Sequence, residues 1–278
     1  MEPNEIIIAV GLFIILLYYI YIFTILPAIK KPKELDRFKK TKYAHRGYHC
    51  LDEGIPENTM AAFKRAVDMG FGIEFDVNLS KDKKPVIMHD DSLKRMCGVD
   101  IKISQSNYGD IANYSIASTE QTPPLLSDIL ELVDGKVTLL VELKTVGGNY
   151  AELCTVAFEL LDNYKGDYMV ESFDPRVLTW MKKHRKNVVR GQLACYMSTK
   201  SSHGKKSFLL RNLMLNFLSR PHFVAYKFAD RANVSLVVCR GLGKAPVFYW
   251  TIRDEDTANR ALADGGTIIF ENFDPSDL

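Results

Sequence analysis

The sequence predicts an α/β protein, a distorted (β/α)8 TIM barrel preceded by one N-terminal transmembrane helix. Three observations indicate this arrangement. An uncharged apolar stretch opens the chain, strand-like runs then alternate with helix-like runs, and two of the strand-like runs lie too close together for a helix between them. We therefore predict a transmembrane anchor and basic juxtamembrane segment over residues 1–41 and a barrel domain over residues 42–278.

The first segment has the length and composition of a membrane-spanning helix. No charged residue lies between Ile6 and Ile29, and Ile6–Leu26 would be about 31 Å long as a helix, close to the hydrocarbon core of a bilayer. Acidic residues precede this stretch and lysines follow it, unlike a cleaved signal peptide. The positive-inside rule then predicts a single-pass protein of the cell membrane with its barrel in the cytoplasm, and the basic segment is placed to meet membrane lipid.

Nine strand-like runs follow, and helical patterns fall between most of them. This alternation is typical of a mainly parallel sheet, and the length suits one (β/α)8 barrel. Nine runs for eight places mean that at least one lies outside the barrel. The runs are Lys42–His45, Gly72–Asn78, Pro85–His89, Val137–Lys144, Asp167–Ser172, Val188–Ala194, Phe223–Tyr226, Val247–Ile252 and Thr267–Phe270.

The second and third runs are expected to form a hairpin. Only five residues, 80–84, lie between Leu79 and Pro85, and a helical crossover needs a dozen or more residues. Strand alternation puts Glu74 and Asp76 on one face of the second run, and the returning strand brings His89 to their level. The hairpin therefore collects two acids and a histidine at the mouth of the barrel, where active sites of this fold lie.

Two other strand ends supply further polar side chains. Glu142 and Lys144 share a face at the end of the fourth run, and His45 and Arg46 end the first. Glu74, Asp76 and Glu142 form an all-oxygen set that suits one divalent cation, Mg²⁺ or Ca²⁺. Two histidines beside such an ion can exchange protons near neutral pH, and Arg46 and Lys144 carry the positive charge that a phosphate group needs.

These residues resemble the glycerophosphodiester phosphodiesterase family, which is related to phosphatidylinositol-specific phospholipase C. The resemblance covers roughly residues 43–273 and depends on the order and spacing of several motifs. They are AHRG at 44–47, PENT at 56–59, EFDV at 74–77, HDD at 89–91, VELK at 141–144, ESF at 171–173 and YWTI at 249–252.

The resemblance implies a role for each site residue. His45 and His89 match the acid–base pair. The matches to the divalent-cation ligands are Glu74, Asp76 and Glu142. Arg46 and Lys144 match the phosphate-binding residues, Trp250 matches an aromatic residue of the glycerol pocket, and Glu57 and Asn58 match supporting residues. The family barrel lacks its second helix, which agrees with the hairpin, and carries a small insertion whose counterpart here is about residues 90–122.

Two segments depart from a plain member of this family. Glu271 stands in the last strand's IIFENF sequence, where the family usually has aspartate. The connection between the sixth and seventh runs, residues 205–220, is long and apolar. Interpreted as one helix, it places Leu210, Leu213, Met214 and Phe217 on one face, with Lys205, Asn212, Asn216 and Arg220 on the other. It is either a docked barrel helix or a lid lying on the membrane.

The sequence therefore predicts a membrane-anchored, metal-dependent enzyme that hydrolyses glycerophosphodiesters to glycerol 3-phosphate and an alcohol. One alternative is a lysophospholipase D-type enzyme on the same barrel, with a lysophospholipid substrate. Another is a catalytically silent, membrane-tethered binding module. The net charge of +2 argues against a nucleic-acid partner, and His49 is taken as a surface or structural residue. The oligomeric state is left open.

Overall fold

The computed structural model describes residues 2–196 and 204–278, with the side chains of residues 204–207 also outside the description. Nine strands lie in these ranges. They are β1 (Tyr43–His45), β2 (Gly72–Leu79), β3 (Pro85–Ile87), β4 (Leu139–Leu143), β5 (Tyr168–Ser172), β6 (Arg190–Ala194), β7 (Phe223–Lys227), β8 (Val247–Ile252) and β9 (Thr267–Phe270).

Twelve α-helices lie in the same described ranges. They are α1 (Pro3–Ile25), α2 (Leu35–Phe38), α3 (Met60–Asp68), α4 (Lys94–Cys97), α5 (Tyr108–Ile111), α6 (Leu126–Val133), α7 (Tyr150–Leu161), α8 (Pro175–His184), α9 (Gly204–Arg211), α10 (Asn216–Ser219), α11 (Val234–Gly241) and α12 (Glu255–Ala263).

Eight of the strands close into a parallel barrel. Neighbours pair in the order β1, β2, β4, β5, β6, β7, β8 and β9, and β9 pairs back to β1. The remaining strand, β3, is antiparallel to the end of β2, with Val77 opposite Ile87. The predicted distorted barrel and its hairpin are both confirmed.

Strand alternation divides the core into two layers. Outward-facing residues such as Ile73, Phe75 and Val141 pack against the surrounding helices. Inward-facing residues such as Leu140 and Phe223 fill the barrel below the carboxyl ends of the strands. The acidic residues on this inner face, such as Glu74, Asp76 and Glu142, lie above this apolar layer, toward the carboxyl ends of the strands.

The predicted basic juxtamembrane segment partly belongs to the barrel. Leu35 and Phe38 of α2 are buried in the inner core, and the Tyr43 hydroxyl donates to the Phe38 carbonyl at 3.1 Å. The Lys39 carbonyl accepts from Thr267 at the start of β9. This segment therefore closes the end of the barrel at which the strands begin, opposite their carboxyl ends.

α1 is long and apolar enough to cross a membrane, and its most apolar part is not buried in the protein. Its C-terminal turn behaves differently, because Ile25 is fully buried against the barrel. The helix therefore joins the barrel through a packed contact.

The expectation of one continuous helix over 205–220 is wrong. Two helices, α9 and α10, occupy this stretch, and Leu213 between them has a left-handed backbone with φ of 56°. Leu213 and Asn216 are both buried, although they were expected on opposite faces. The side chains of Lys205 and Lys206 lie outside the described part of the chain.

Candidate active site

Three buried carboxylates meet at the carboxyl ends of β2 and β4. Asp76 is the register partner of Glu142, and Glu74 lies one inward-facing position earlier on β2. One oxygen from each of these residues lies within 4.8 Å of the other two. Parallel strands of equal register bring these side chains together, which is why acids distant in sequence share one place.

Two positively charged side chains, Lys144 and Arg46, lie against these carboxylates. The Lys144 ammonium is 3.1 Å from Glu142 Oε1 and 3.3 Å from Asp76 Oδ1, and Arg46 Nε is 3.5 Å from Asp76 Oδ2. Burial opposes ionisation of Asp76, but Lys144, His89 and Arg46 together hold the pKa of its carboxyl well below the usual range. Among the three clustered carboxylates, Asp76 is therefore the one whose ionised form the neighbouring basic side chains favour.

A fourth carboxylate, Glu171 at the end of β5, joins the group. It is 1% exposed, and its Oε2 has no hydrogen-bond partner among the described residues. Burial and the charges of Glu74 and Glu142 raise its pKa well above the usual value. Burial likewise raises the pKa of Glu74, and it raises the pKa of Glu142 to about 7. The acids outnumber the neighbouring cations, and a positive ligand would relieve them.

The HRG motif forms a tight turn that reaches back to the carboxylates. Arg46 has a positive φ of 56° and Gly47 one of 83°, and a Cβ on Gly47 would lie only 2.8 Å from that of Ala62. Glycine is thus required at position 47. The turn directs the Arg46 backbone N–H to Glu74 Oε2 at 2.9 Å, which fixes this carboxylate.

The PENT loop forms a layer behind the HRG turn. The Asn58 backbone N–H donates to the Arg46 carbonyl, and the Asn58 side chain donates to Asp76 Oδ2 at 2.9 Å. Glu57 accepts from Arg46 Nη1 at 2.7 Å. Thr59 caps α3 by accepting from Ala62. Glu57 and Asn58 therefore hold Arg46 and Asp76 in place without facing the cavity, consistent with a supporting role.

His45 is oriented by a residue that the motif comparison left without a role. Glu271, just after β9, accepts a hydrogen bond from His45 Nδ1 and another from Arg253 Nε at 2.8 Å. The other ring nitrogen, Nε2, is 3.9 Å from Glu74 Oε2. His49 Nε2 is 3.7 Å from Glu271, so this histidine, which was expected to be a surface or structural residue, lies at the edge of the site. Burial opposes the ionisation of Glu271, but His45 and His49 lower its pKa overall.

His89 has a parallel arrangement on the other side of the site. Its Nδ1 bonds to Asp90 Oδ1 at 2.7 Å, and Asp90 Oδ2 accepts from Arg95 Nε at 2.6 Å. Arg95 in turn donates two hydrogen bonds to Glu57. Burial lowers the pKa of both His45 and His89, against the neighbouring carboxylates. Each histidine thus has Nδ1 bound to a carboxylate, which leaves its Nε2 for a ligand.

A cavity of about 310 Å³ lies between these groups. Trp250, Phe173 and Leu193 form its apolar wall, and the rings of Phe173 and Trp250 meet edge to face at 5.8 Å. The Trp250 Nε1 is buried without a hydrogen-bond partner in the described structure. The cavity also contains the two histidines, Arg46 and Lys144. A small polar molecule with one flat apolar contact would fill it.

The donor set fits a hard divalent cation. All of its ligand atoms are carboxylate oxygens, one each from Glu74, Asp76 and Glu142. Clustered buried carboxylates are stable when they coordinate a cation. Glu74, Asp76 and Glu142 are the residues that would hold it.

A comparison of whole sequences identifies the family. The sequence profile of the glycerophosphoryl diester phosphodiesterase family matches residues 45–273. The chain belongs to this family. The resemblance inferred from the motifs is therefore confirmed, and the family's divalent-metal dependence agrees with the carboxylate cluster.

Individual relatives cover different parts of the chain. YhdW of Bacillus subtilis, provisionally named a glycerophosphodiester phosphodiesterase, is 28% identical over 80% of this chain and 90% of its own length. Rat lysophospholipase D GDPD1 is 29% identical over 51% of this chain and 48% of its own length. The chain thus spans about half of that relative.

Solved structures support the fold. A phosphodiesterase from Oleispira antarctica, in complex with the product sn-glycerol-3-phosphate, has a TM-score of 0.70 and 23% identity, covering 87% of this chain and 96% of the other. A glycerophosphodiester phosphodiesterase from Thermotoga maritima has a TM-score of 0.62 and 24% identity, with coverages of 83% and 94%. At these identities the likeness establishes the barrel only.

The structure brings all of the predicted site residues to one end of the barrel. Sequence reasoning missed Glu171, Asp90 and Arg95 as members of this group, and it noted Glu271 only as a departure from the family's aspartate. Asp90 and Glu171 lie inside quoted motifs. Asp90 comes after β3 and directly follows the assigned His89, and Glu171 lies near the end of β5, beside the strand of the assigned Glu142. These positions were the available signal. Arg95 is in the insertion and carried no signal of its own.

The cation ligands generate a binding prediction. Glu74→Gln, Asp76→Asn and Glu142→Gln should each weaken Mg²⁺ or Ca²⁺ binding by about tenfold or more, because each removes one negative charge from a hard-cation site. Isothermal titration of the metal-stripped full chain measures this. Glu152→Gln on the exposed face of α7 is the matched control. Equal affinities for Glu142→Gln and Glu152→Gln would contradict the assignment.

Proposed function

We propose that this protein hydrolyses glycerophosphodiesters to glycerol 3-phosphate and an alcohol, with Mg²⁺ or Ca²⁺ bound by Glu74, Asp76 and Glu142. The observation that carries the proposal is the cavity itself. It sets two carboxylate-held histidines, two phosphate-binding cations and the carboxylate cluster around a space of about 310 Å³. A glycerophosphoryl group has the charge and size for this space.

The reaction follows from the position of each group. Arg46 and Lys144 attract and orient the phosphodiester, and Trp250 offers its ring to the glycerol carbons. When bound, the cation polarises a phosphoryl oxygen. One histidine takes the proton from the attacking hydroxyl, which belongs to water or to the substrate glycerol. The other donates a proton to the departing alkoxide as its P–O bond breaks. Attack by water gives glycerol 3-phosphate directly, whereas attack by the glycerol hydroxyl gives a cyclic phosphodiester that water opens in a second step.

The carboxylates behind the histidines set their chemistry. Glu271 and Asp90 accept at Nδ1, so each ring presents Nε2 to the substrate. A carboxylate in this position also stabilises the imidazolium that forms when a histidine takes up a proton. Glu271 and Asp90 are therefore positioning residues, and the glutamate at position 271 fulfils this role despite the aspartate that the family pattern favours.

The proposal is tested by turnover of glycerophosphocholine by the purified full chain in detergent, with glycerol 3-phosphate measured by ³¹P NMR. We expect turnover that chelator abolishes and added Mg²⁺ or Ca²⁺ restores. His45→Ala and His89→Ala should each lower kcat by roughly 10²–10⁴-fold with the fold intact, the usual contribution of one general acid or base.

His184→Ala provides the control for this series, because His184 is exposed on α8, away from the cavity. Full activity in chelator would contradict the metal mechanism. Normal turnover by either site variant would make that histidine structural. No turnover of any phosphodiester by the unaltered chain would instead support the alternative of a catalytically silent, membrane-tethered module.

A second cavity favours a lysophospholipid as another substrate. An apolar groove of about 690 Å³ begins at Glu142, Lys144 and Phe173, which also line the catalytic cavity. It continues between α8 and the α9–α10 segment, and its apolar lining is Leu143, Phe173, Pro175, Cys195, Leu210, Leu215 and Leu218. An aliphatic chain attached to a glycerophosphodiester would fit this groove. Cleavage would then yield a monoacyl glycerophosphate and an alcohol.

The groove gives a substrate-specific prediction. Leu215→Gln keeps the side-chain size but removes an apolar contact, and we expect the KM for lysophosphatidylcholine to rise about tenfold, since burying a leucine is worth about 1.5–3 kcal/mol. The KM for glycerophosphocholine should not change, because this substrate has no acyl chain. Parallel kinetics on both substrates decide the point. An equal change for both would reject the groove as an acyl site.

The same proposal places the protein in the cell membrane. α1 would span it, and the lysines after the span would keep the barrel in the cytoplasm. A reporter fused after Leu278 that is active only in the cytoplasm should be active, and activity of a reporter that requires export would reverse the orientation.

A further inference from the structure

The C-terminal end of α1 is fixed to the barrel by several specific contacts. Its last turn packs between α10 and α11, with Ile25 fully buried. The Tyr21 hydroxyl lies 2.8 Å from the Ser235 hydroxyl at the start of α11, and Cys239 Sγ lies 3.5 Å from the Ile25 carbonyl. The junction is therefore a packed interface that restricts how the helix can tilt.

Asn216 of α10 and Arg220, which directly follows α10, donate to free carbonyls at the end of α1. Asn216 donates to the Ile25 carbonyl at 2.8 Å, and Arg220 donates to the carbonyls of Phe23 and Leu26 at 2.9 and 2.8 Å. The Arg220 guanidinium also lies 4.5 Å from the centre of the Phe23 ring. A helix end leaves carbonyls without partners, and here the barrel supplies the partners.

The order of these contacts gives the direction of α1. Tyr21 meets Ser235 and Ile25 meets Cys239, so four residues along α1 match four along α11, and the two helices run side by side in the same direction. α11 starts after β7 at the end of the barrel that carries the active site. The chain then passes Gly243 near the opposite end, where Lys31 Nζ donates to the Gly243 carbonyl at 3.3 Å.

The rest of α1 must therefore project beyond the active-site end. Its exposed apolar part, Ile6–Phe23, would be about 27 Å long, close to the ~30 Å hydrocarbon core. To cover this part, the hydrocarbon must reach Tyr21 and Phe23, which already touch the barrel. The bilayer surface must therefore lie close to the active-site end of the barrel.

We propose that the active-site end of the barrel docks onto the bilayer that holds α1. Exposed apolar side chains lie at this end: Val234 is 70% exposed, Phe208 52% and Tyr196 51%. Asn233 links their segments, because its side chain approaches the Tyr196 hydroxyl at 3.4 Å and Asn212 Oδ1 at 3.3 Å. A surface of this composition beside a membrane helix matches the interfacial layer of the bilayer.

Docking in this orientation has two consequences. The catalytic cavity opens toward the head-group layer, so a phosphodiester can pass from the membrane to Arg46 and Lys144 without crossing bulk water. The basic residues near α2, such as Lys39 and Lys40, lie at the opposite end of the barrel and away from the lipid surface. They were expected to meet membrane lipid, and this arrangement assigns that contact to the active-site end instead.

Tryptophan quenching in nanodiscs tests the docking. Val234→Trp and Phe208→Trp are made separately in the full chain and reconstituted with lipids brominated on their acyl chains. We expect the added emission to shift to the blue and to be quenched relative to unbrominated lipid. Lys186→Trp is the matched control, because Lys186 is exposed in the loop before β6, at the opposite end. The emission of Trp180 and Trp250 in the unaltered chain is the baseline.

Each outcome decides the proposal. Quenching at 234 or 208 with none at 186 supports docking through the active-site end. Quenching at 186 with none at 234 and 208 would mean that the barrel docks the other way up. No quenching at any position would mean that the barrel stands off the bilayer. Because the readout is independent of turnover, docking can fail while the proposed activity holds, and the reverse.

Discussion

The main constraint on this structure is the repulsion among buried carboxylates at one end of the barrel. Glu74, Asp76, Glu142 and Glu171 are all at most 6% exposed. Burying a charge is costly unless it is paired or coordinates an ion. Arg46 and Lys144 offset part of this charge, and a divalent cation would offset the rest. The elevated pKa values of Glu74, Glu142 and Glu171 express the same excess of negative charge.

The surrounding elements position this charge. The left-handed HRG turn and the PENT loop hold Arg46, Glu74 and Asp76 by backbone and side-chain hydrogen bonds. The β2–β3 hairpin carries His89 to the side opposite His45. Each histidine is hydrogen-bonded to its own carboxylate, so the two proton-transfer groups flank the carboxylate cluster. The barrel supplies rigid strand ends, and short loops supply the orientation.

Local spacing in the sequence was enough to predict much of this. The five residues between β2 and β3 exclude a helix, and the two-residue period places Glu74 with Asp76 and Glu142 with Lys144. The contact that depends on closure of the last strand onto the first was not predicted. Glu271 meets His45 only because β9 closes against β1. The prediction of one helix over 205–220 was wrong because the apolar pattern continues through Leu213. The left-handed backbone of Leu213 is set by tertiary packing, which the pattern does not reveal. Leu35 and Phe38 lie in a charged run that resembles a solvated segment, and only the open base of the barrel explains their burial.

The central claim is that Glu74, Asp76 and Glu142 jointly bind one cation. Anomalous diffraction from crystals soaked in Mn²⁺ tests it most directly, since this ion takes the same oxygen ligands and scatters anomalously. The account predicts one strong peak within about 2.0–2.6 Å of an oxygen from each of the three residues. A fully soaked crystal with no peak there, and with Lys144 still paired to Asp76 and Glu142, would contradict it.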